Sequence, residues 1–158
     1  MSRATIMRIK GLTVEYATRS GPVTAVDDAD LDIRRGEILG LVGESGCGKS
    51  TLGRALMRLV DPPGRITSGS IIFDGTDLIG LSRREMRQLR GTRIGMVFQD
   101  PMTSLVPIEK VATQISHTVR SHDRAITKQE IVARAAALAE RLGIRAERLQ
   151  DYPHQLSG

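Results

Sequence analysis

Gly43-Glu44-Ser45-Gly46-Cys47-Gly48-Lys49-Ser50-Thr51 fits the pattern G-x-x-x-x-G-K-[ST] at every fixed position. Backbone N–H groups can turn inward around an anion only where no side chain blocks the approach, and Gly43, Gly46 and Gly48 supply that freedom. The pattern brings the Lys49 ammonium to β- and γ-phosphates and the Ser50 hydroxyl to a Mg²⁺ ion. It also aims the positive end of the following helix at the phosphates. The loop, with Glu44, Ser45, Cys47 and Thr51 filling its variable places, reads as a nucleotide site.

Such a loop carries meaning only between a strand and a helix, and both flanks are present. Ile38-Leu39-Gly40-Leu41-Val42 is a short apolar run of the kind a buried parallel strand shows. After the loop, Leu52, Ala55, Leu56 and Leu59 fall on one face of a helix. A glycine-rich turn with no ligand would not require both.

With 158 residues and 40% hydrophobic content, the chain has room for one domain with a sizeable core. Its single cysteine, Cys47, excludes an intramolecular disulfide and fits a reducing, cytosolic setting. No window approaches the roughly twenty apolar residues of a membrane span, so the chain is expected neither to cross nor to enter a membrane. The formal charge of +5 raises nucleic acid or an anionic surface as partners. Arg83, Arg84, Arg87 and Arg90, the densest basic group, stand at helical spacing without interleaved aromatics. They read as a solvated helix face rather than a nucleic-acid groove.

Along the chain, Ile9, Leu12, Val14 and Tyr16 predict a half-buried strand over 9–16, followed by a loop through Gly21 and Pro22. Asp28, Asp30 and Asp32 alternate with Ala29, Leu31 and Ile33. Three carboxylates could hold a metal, but strict alternation on a strand points to one wet face. Gly69 to Phe73 predicts a strand closed by an Asp74-Gly75 turn, and Ser82 with Glu85 makes a capping box for a helix ending near Arg90. Arg93 to Phe98 returns to a buried strand that stops at Gln99. Beyond Pro101 only helical periodicity appears. Ile108, Val111, Ala112, Ile115 and Val119 form one stripe; Thr127 and Glu130 cap a second helix with Ile131, Ala135, Leu138 and Leu142 inward, stopped at Gly143. His117, His122 and His154 read as structural or surface residues.

Taken together these residues resemble the nucleotide-binding subunit of ATP-binding-cassette (ABC) transporters over nearly the whole chain. The phosphate loop, the upstream aromatic Tyr16, a strand ending in Gln99, a helical segment and a terminal Leu156-Ser157-Gly158 occur in the family's order. Gln99 to Pro107, reading Q-D-P-M-T-S-L-V-P, and Tyr152 to Gly158, reading Y-P-H-Q-L-S-G, resemble the dipeptide/oligopeptide and nickel importer branch. Val106 departs from the asparagine common there.

The resemblance implies an α/β fold: a RecA-like phosphate-loop core with an N-terminal antiparallel β-subdomain over about 1–99 and a helical subdomain over about 100–158. It implies ATP and Mg²⁺ as cofactors, Tyr16 under adenine, and Lys49 and Gln99 as catalytic groups. Ser50 and Gln99 would serve the metal, and Ser157 and Gly158 would close over the γ-phosphate held by a second subunit in a head-to-tail dimer. Implied partners are transmembrane permease subunits at the cytoplasmic face of the membrane and, indirectly, a solute-binding protein. The Asp-Glu strand and switch histidine that complete the family's site are not in this sequence. The chain is therefore expected to be an N-terminal fragment that binds ATP without hydrolysing it, with apolar strands lacking neighbours. The resemblance implies, for the subunit to which this stretch would belong, coupling of ATP binding and hydrolysis to solute transport, of peptides in this branch. The alternatives are a non-catalytic nucleotide-binding fragment and a soluble cassette ATPase acting on nucleic acid, the latter predicting salt-dependent binding.

Overall fold

A computed structural model describes residues 4–99 and 104–156, which divide into two compact units, 1–94 and 95–158. The first is built on a four-stranded antiparallel sheet in the order β2-β1-β3-β4, with β1 at Thr5–Thr18, β2 at Gly21–Arg34, β3 at Gly64–Phe73 and β4 at Thr76–Asp77. On β1 the buried residues are Met7, Ile9, Leu12 and Val14. The step of three between Ile9 and Leu12 breaks strict alternation. A register shift there, with Gly11 at φ 58, restores the apolar side chains to the same face. Opposite it Gly69, at φ 92, lies so close that an added Cβ would stand 2.5 Å from the Gly11 carbonyl oxygen. The two glycine backbones thus meet at the register shift.

Two of the three carboxylates on the wet face of β2 are engaged across the sheet. Asp30 accepts hydrogen bonds from Lys10 Nζ at 2.7 Å and the Gly11 N–H at 2.8 Å, and Asp32 accepts one from Arg8 Nε at 2.9 Å. The Lys10 hydrogen bond and the Gly11 amide hold the Asp30 carboxyl below its ordinary range. These are exposed cross-strand pairs, and among the described residues no group of three or more potential ligands could hold a metal ion. Gly21 and Pro22, expected in a loop, open β2 instead. Because β2 is an edge strand, the missing proline N–H costs no ladder bond.

Helix α1, Lys49–Leu56, packs on β1 and β2 and buries Ala55, while α2, Arg83–Leu89, buries Met86. They join Ile9, Leu12, Val14, Ile71 and Leu78 in one core, where each large aliphatic residue contributes about 1.5–3 kcal/mol. The capping box of α2 forms as expected: the Ser82 hydroxyl accepts from the Glu85 N–H, and a Glu85 carboxylate oxygen accepts from the Ser82 N–H at 2.8 Å. Leu59 does not extend the apolar face of α1. Arg58 turns left-handed at φ 49, its N–H bonds Ala55 O and the Leu59 N–H bonds Arg54 O, a Schellman termination without glycine.

The second unit holds α3, Val111–His122, and α4, Lys128–Arg141, then a 3-10 turn at Ala146–Gln150 and a short α5, Pro153–Leu156. Both ends of α4 are as the sequence predicts. Thr127 and Glu130 form a reciprocal capping box, and Gly143 at φ 76 closes a Schellman motif with the Ile144 N–H on Ala139 O. The buried stripe differs from the expected one: Ile131, Ala135 and Ala139 are buried, whereas Leu138 is 55% and Leu142 68% exposed. The small alanines at 135 and 139 let Leu149 of the 3-10 turn and Val111, Ala112 and Ile115 of α3 approach closely, so contact follows the i, i+4, i+8 line. Ile108 precedes α3 and is exposed.

Candidate phosphate-binding site

The segment from Glu37 to Glu44 runs without ladder hydrogen bonds, and Ile38 is 100% exposed. The apolar run predicted as a buried strand is therefore not one here. A parallel strand draws its stability from a strand on each side, and no described segment pairs with it. The second apolar run behaves alike: Arg90 and Ile94 form a single parallel bridge, and Val97 beyond it is 87% exposed.

The loop itself is built tightly. Gly46 takes φ 85 and Gly48 φ 91, conformations that side chains disfavour. A Cβ on Gly48 would stand 2.1 Å from the carbonyl oxygen of Ala25 on β2, and one on Gly43 would stand 2.7 Å from Cys47 Sγ. Gly48 is the N-cap of α1 and supplies no side-chain cap, so the first N–H groups of that helix, around Lys49, Ser50 and Thr51, carry its positive end with no side chain on them. Lys49 folds over the loop: Nζ donates to Gly43 O at 2.7 Å and Glu44 O at 2.5 Å, with Cys47 Sγ at 3.4 Å. No carboxylate pairs with it among the described residues, so its charge is uncompensated at the helix terminus. A cavity of about 390 Å³ opens beside it, lined by Ala25, Val26, Val42, Cys47, Lys49 and Leu52 among others. Bare amides, a positive helix end and one unpaired ammonium make a receptor for an anion with several oxygens. The cradle therefore fits a polyphosphate, and the exposed Ser50 hydroxyl offers a hard oxygen of the kind Mg²⁺ takes.

The family description "ABC transporter" matches residues 26–158. The chain belongs to the ABC transporter family. The oligopeptide transport ATP-binding protein OppD of Bacillus subtilis is 42% identical over 156 residues, covering 97% of this chain and 43% of that protein. The dipeptide transport ATP-binding protein DppD of Escherichia coli K12 is 41% identical over 155 residues, covering 97% and 47%. Among solved structures, the dimeric ABC transporter cassette MJ0796 superposes with a TM-score of 0.82 at 26% identity, covering 96% of this chain and 63% of that one. The same cassette in a post-hydrolysis state, bound to ADP and Pi, matches equally. The α/β fold is thus that of an ABC cassette, and the chain spans a little under half the length of the curated relatives it matches.

Tyr16 is half-buried on β1 opposite Val23, and its ring edge fills the place a Gly64 Cβ would take, 2.6 Å from Cε1. It lies outside the lining of the cavity, one register step from Thr24. Gln99 is exposed and belongs to the second unit. Ser157 and Gly158 lie outside the described residues, as do Asp100 to Thr103 of the importer-like stretch. The segment before them is ordered by its own bonds. Arg148 pairs with Asp151 at 3.1 Å and donates to Gln155 O, the Gln155 side chain accepts from the Tyr152 N–H, and the Tyr152 and His154 rings stack at 5.9 Å. Sequence reading missed Ala25, whose carbonyl braces the loop. Nothing in an alanine signals a contact 23 residues away in sequence.

Proposed function

We propose that this chain is the nucleotide-binding portion of an ATPase subunit that powers a peptide-type importer. The observation that carries the reading is the unpaired Lys49 ammonium held over an uncapped helix terminus by a glycine backbone. On entry of ATP, Lys49 exchanges the carbonyls of Gly43 and Glu44 for β- and γ-phosphate oxygens, and the amides from Gly46 to Thr51 cradle the rest. The Ser50 hydroxyl would hold Mg²⁺, which would neutralise charge on the phosphates. Tyr16 supports the adenine, and Ser157 with Gly158 serves the nucleotide of a second cassette across a head-to-tail dimer. The assignment to peptide import rests on the relatives' names, and with it come permease subunits at the cytoplasmic membrane face and, through them, a solute-binding protein.

The test is calorimetric titration of MgATP into the chain and its Lys49→Ala variant. Loss of a charged hydrogen-bonding partner of this kind costs about 1.5–3 kcal/mol, or about ten- to hundredfold in affinity. An unchanged dissociation constant, with both proteins equally folded by circular dichroism, would overturn the reading. These residues alone are expected to show no Mg²⁺-dependent turnover above the Lys49→Ala background.

A further inference from the structure

A second concavity in the first unit, about 520 Å³ in volume, is lined by Arg58, Arg83, Arg84, Met86, Arg87 and Arg90. Five guanidinium groups and no carboxylate surround it. None of the five forms an ion pair among the described residues. The nearest acidic residue in sequence, Glu85, is committed to the capping box with Ser82. The base of the recess is built. Arg90 donates from Nε to Met57 O and from Nη2 to Arg58 O, each at 2.8 Å. Arg58 donates from Nη1 to Leu78 O at 2.9 Å and to Leu81 O at 2.5 Å. Carbonyls fix the two groups in place but leave their charge uncancelled and several N–H donors unspent. Burial first, and the neighbouring Arg58 charge after it, push the Arg90 guanidinium down from its ordinary range. Arg58 is also the left-handed residue that ends α1, so a backbone of unusual conformation is spent where the two arginines meet. Arg83, Arg84 and Arg87 rise from α2 as exposed walls.

We propose that this recess is a second anion site, distinct from the phosphate loop, which takes a phosphate-bearing group with more than one phosphoryl charge. Guanidinium forks match phosphate oxygens two at a time, and a concave cluster of five suits a compact polyanion better than an extended one. The group could be a soluble polyphosphate or the head of an anionic lipid.

The experiment titrates pyrophosphate into the full chain carrying Lys49→Ala, which disables the phosphate loop, and follows amide and arginine Nε resonances by NMR at low salt. Shifts confined to Arg58, Arg90 and α2 are expected, with affinity lowered about tenfold or more by Arg83→Gln/Arg87→Gln and weakened by added salt. That double variant should unfold at the same temperature as its parent, since neither residue is part of the core. Absence of saturable shifts, or shifts unaffected by the double variant, would overturn the site. A second arm adds vesicles of phosphatidylcholine carrying cardiolipin, whose headgroup bears two phosphates. Co-sedimentation that pyrophosphate competes away supports a lipid headgroup as the source, and pyrophosphate binding without co-sedimentation supports a soluble one. Co-sedimentation without pyrophosphate binding would overturn the recess as the site.

Discussion

Gly48 must satisfy two demands at once, a φ of 91 and a carbonyl oxygen 2.1 Å from where its Cβ would be. Gly46, two residues earlier, has φ 85 but open space around it. An alanine at 46 therefore bears only the left-handed penalty of about 1–2 kcal/mol, whereas one at 48 must also displace the loop from β2. Gly48→Ala is expected to lower stability to urea and ATP affinity clearly more than Gly46→Ala, and equal losses would contradict the bracing contact. These glycines were legible from the motif, because a spacing of fixed residue types reports a local backbone shape. The reason Gly48 in particular is indispensable was not, since it resides in a strand far upstream.

The two capping boxes were legible for the same reason of locality: a hydroxyl and a carboxylate three residues apart meet in any helix start. Thr127→Ala should cost α4 about 1 kcal/mol, read by urea unfolding. The backbone and side-chain hydrogen bonds from Thr127 hold the Glu130 carboxyl below its ordinary 4.5. A depressed carboxyl stabilises the fold fully above the ordinary value and ceases to do so as pH falls through the lower, folded one. As pH falls below that ordinary value the natural chain should therefore lose stability faster than Glu130→Gln, and parallel curves would show that the box carries no proton linkage. What periodicity misjudged was where helices stop and which side faces inward. Leu59 sits beyond a left-handed arginine that no pattern flags, and Leu138 and Leu142 yield the contact line to Ala135 and Ala139. Both outcomes depend on the partner surface rather than on the helix.

For the molecule as a whole, the antiparallel sheet and the helical unit were readable, while the two apolar runs at 38–42 and 94–98 were read as strands and found without ladders. Their composition reports what they would bury against, and that surface is not among the described segments. Unsatisfied apolar side chains on this scale favour self-association. Ile38→Lys, at a fully exposed position, should leave the melting temperature within the change of about 0.5 kcal/mol typical of surface sites while reducing light scattering as protein concentration rises. A marked loss of stability would mean that Ile38 is packed in solution. The close approach of Gly48 to Ala25 carries one more implication. The loop rests against β2, so occupancy of the loop and the seating of that strand are expected to be coupled. By reciprocity, an anion that tightens the loop must slow amide hydrogen exchange at Val26 by the same free energy with which an intact β2 favours the anion.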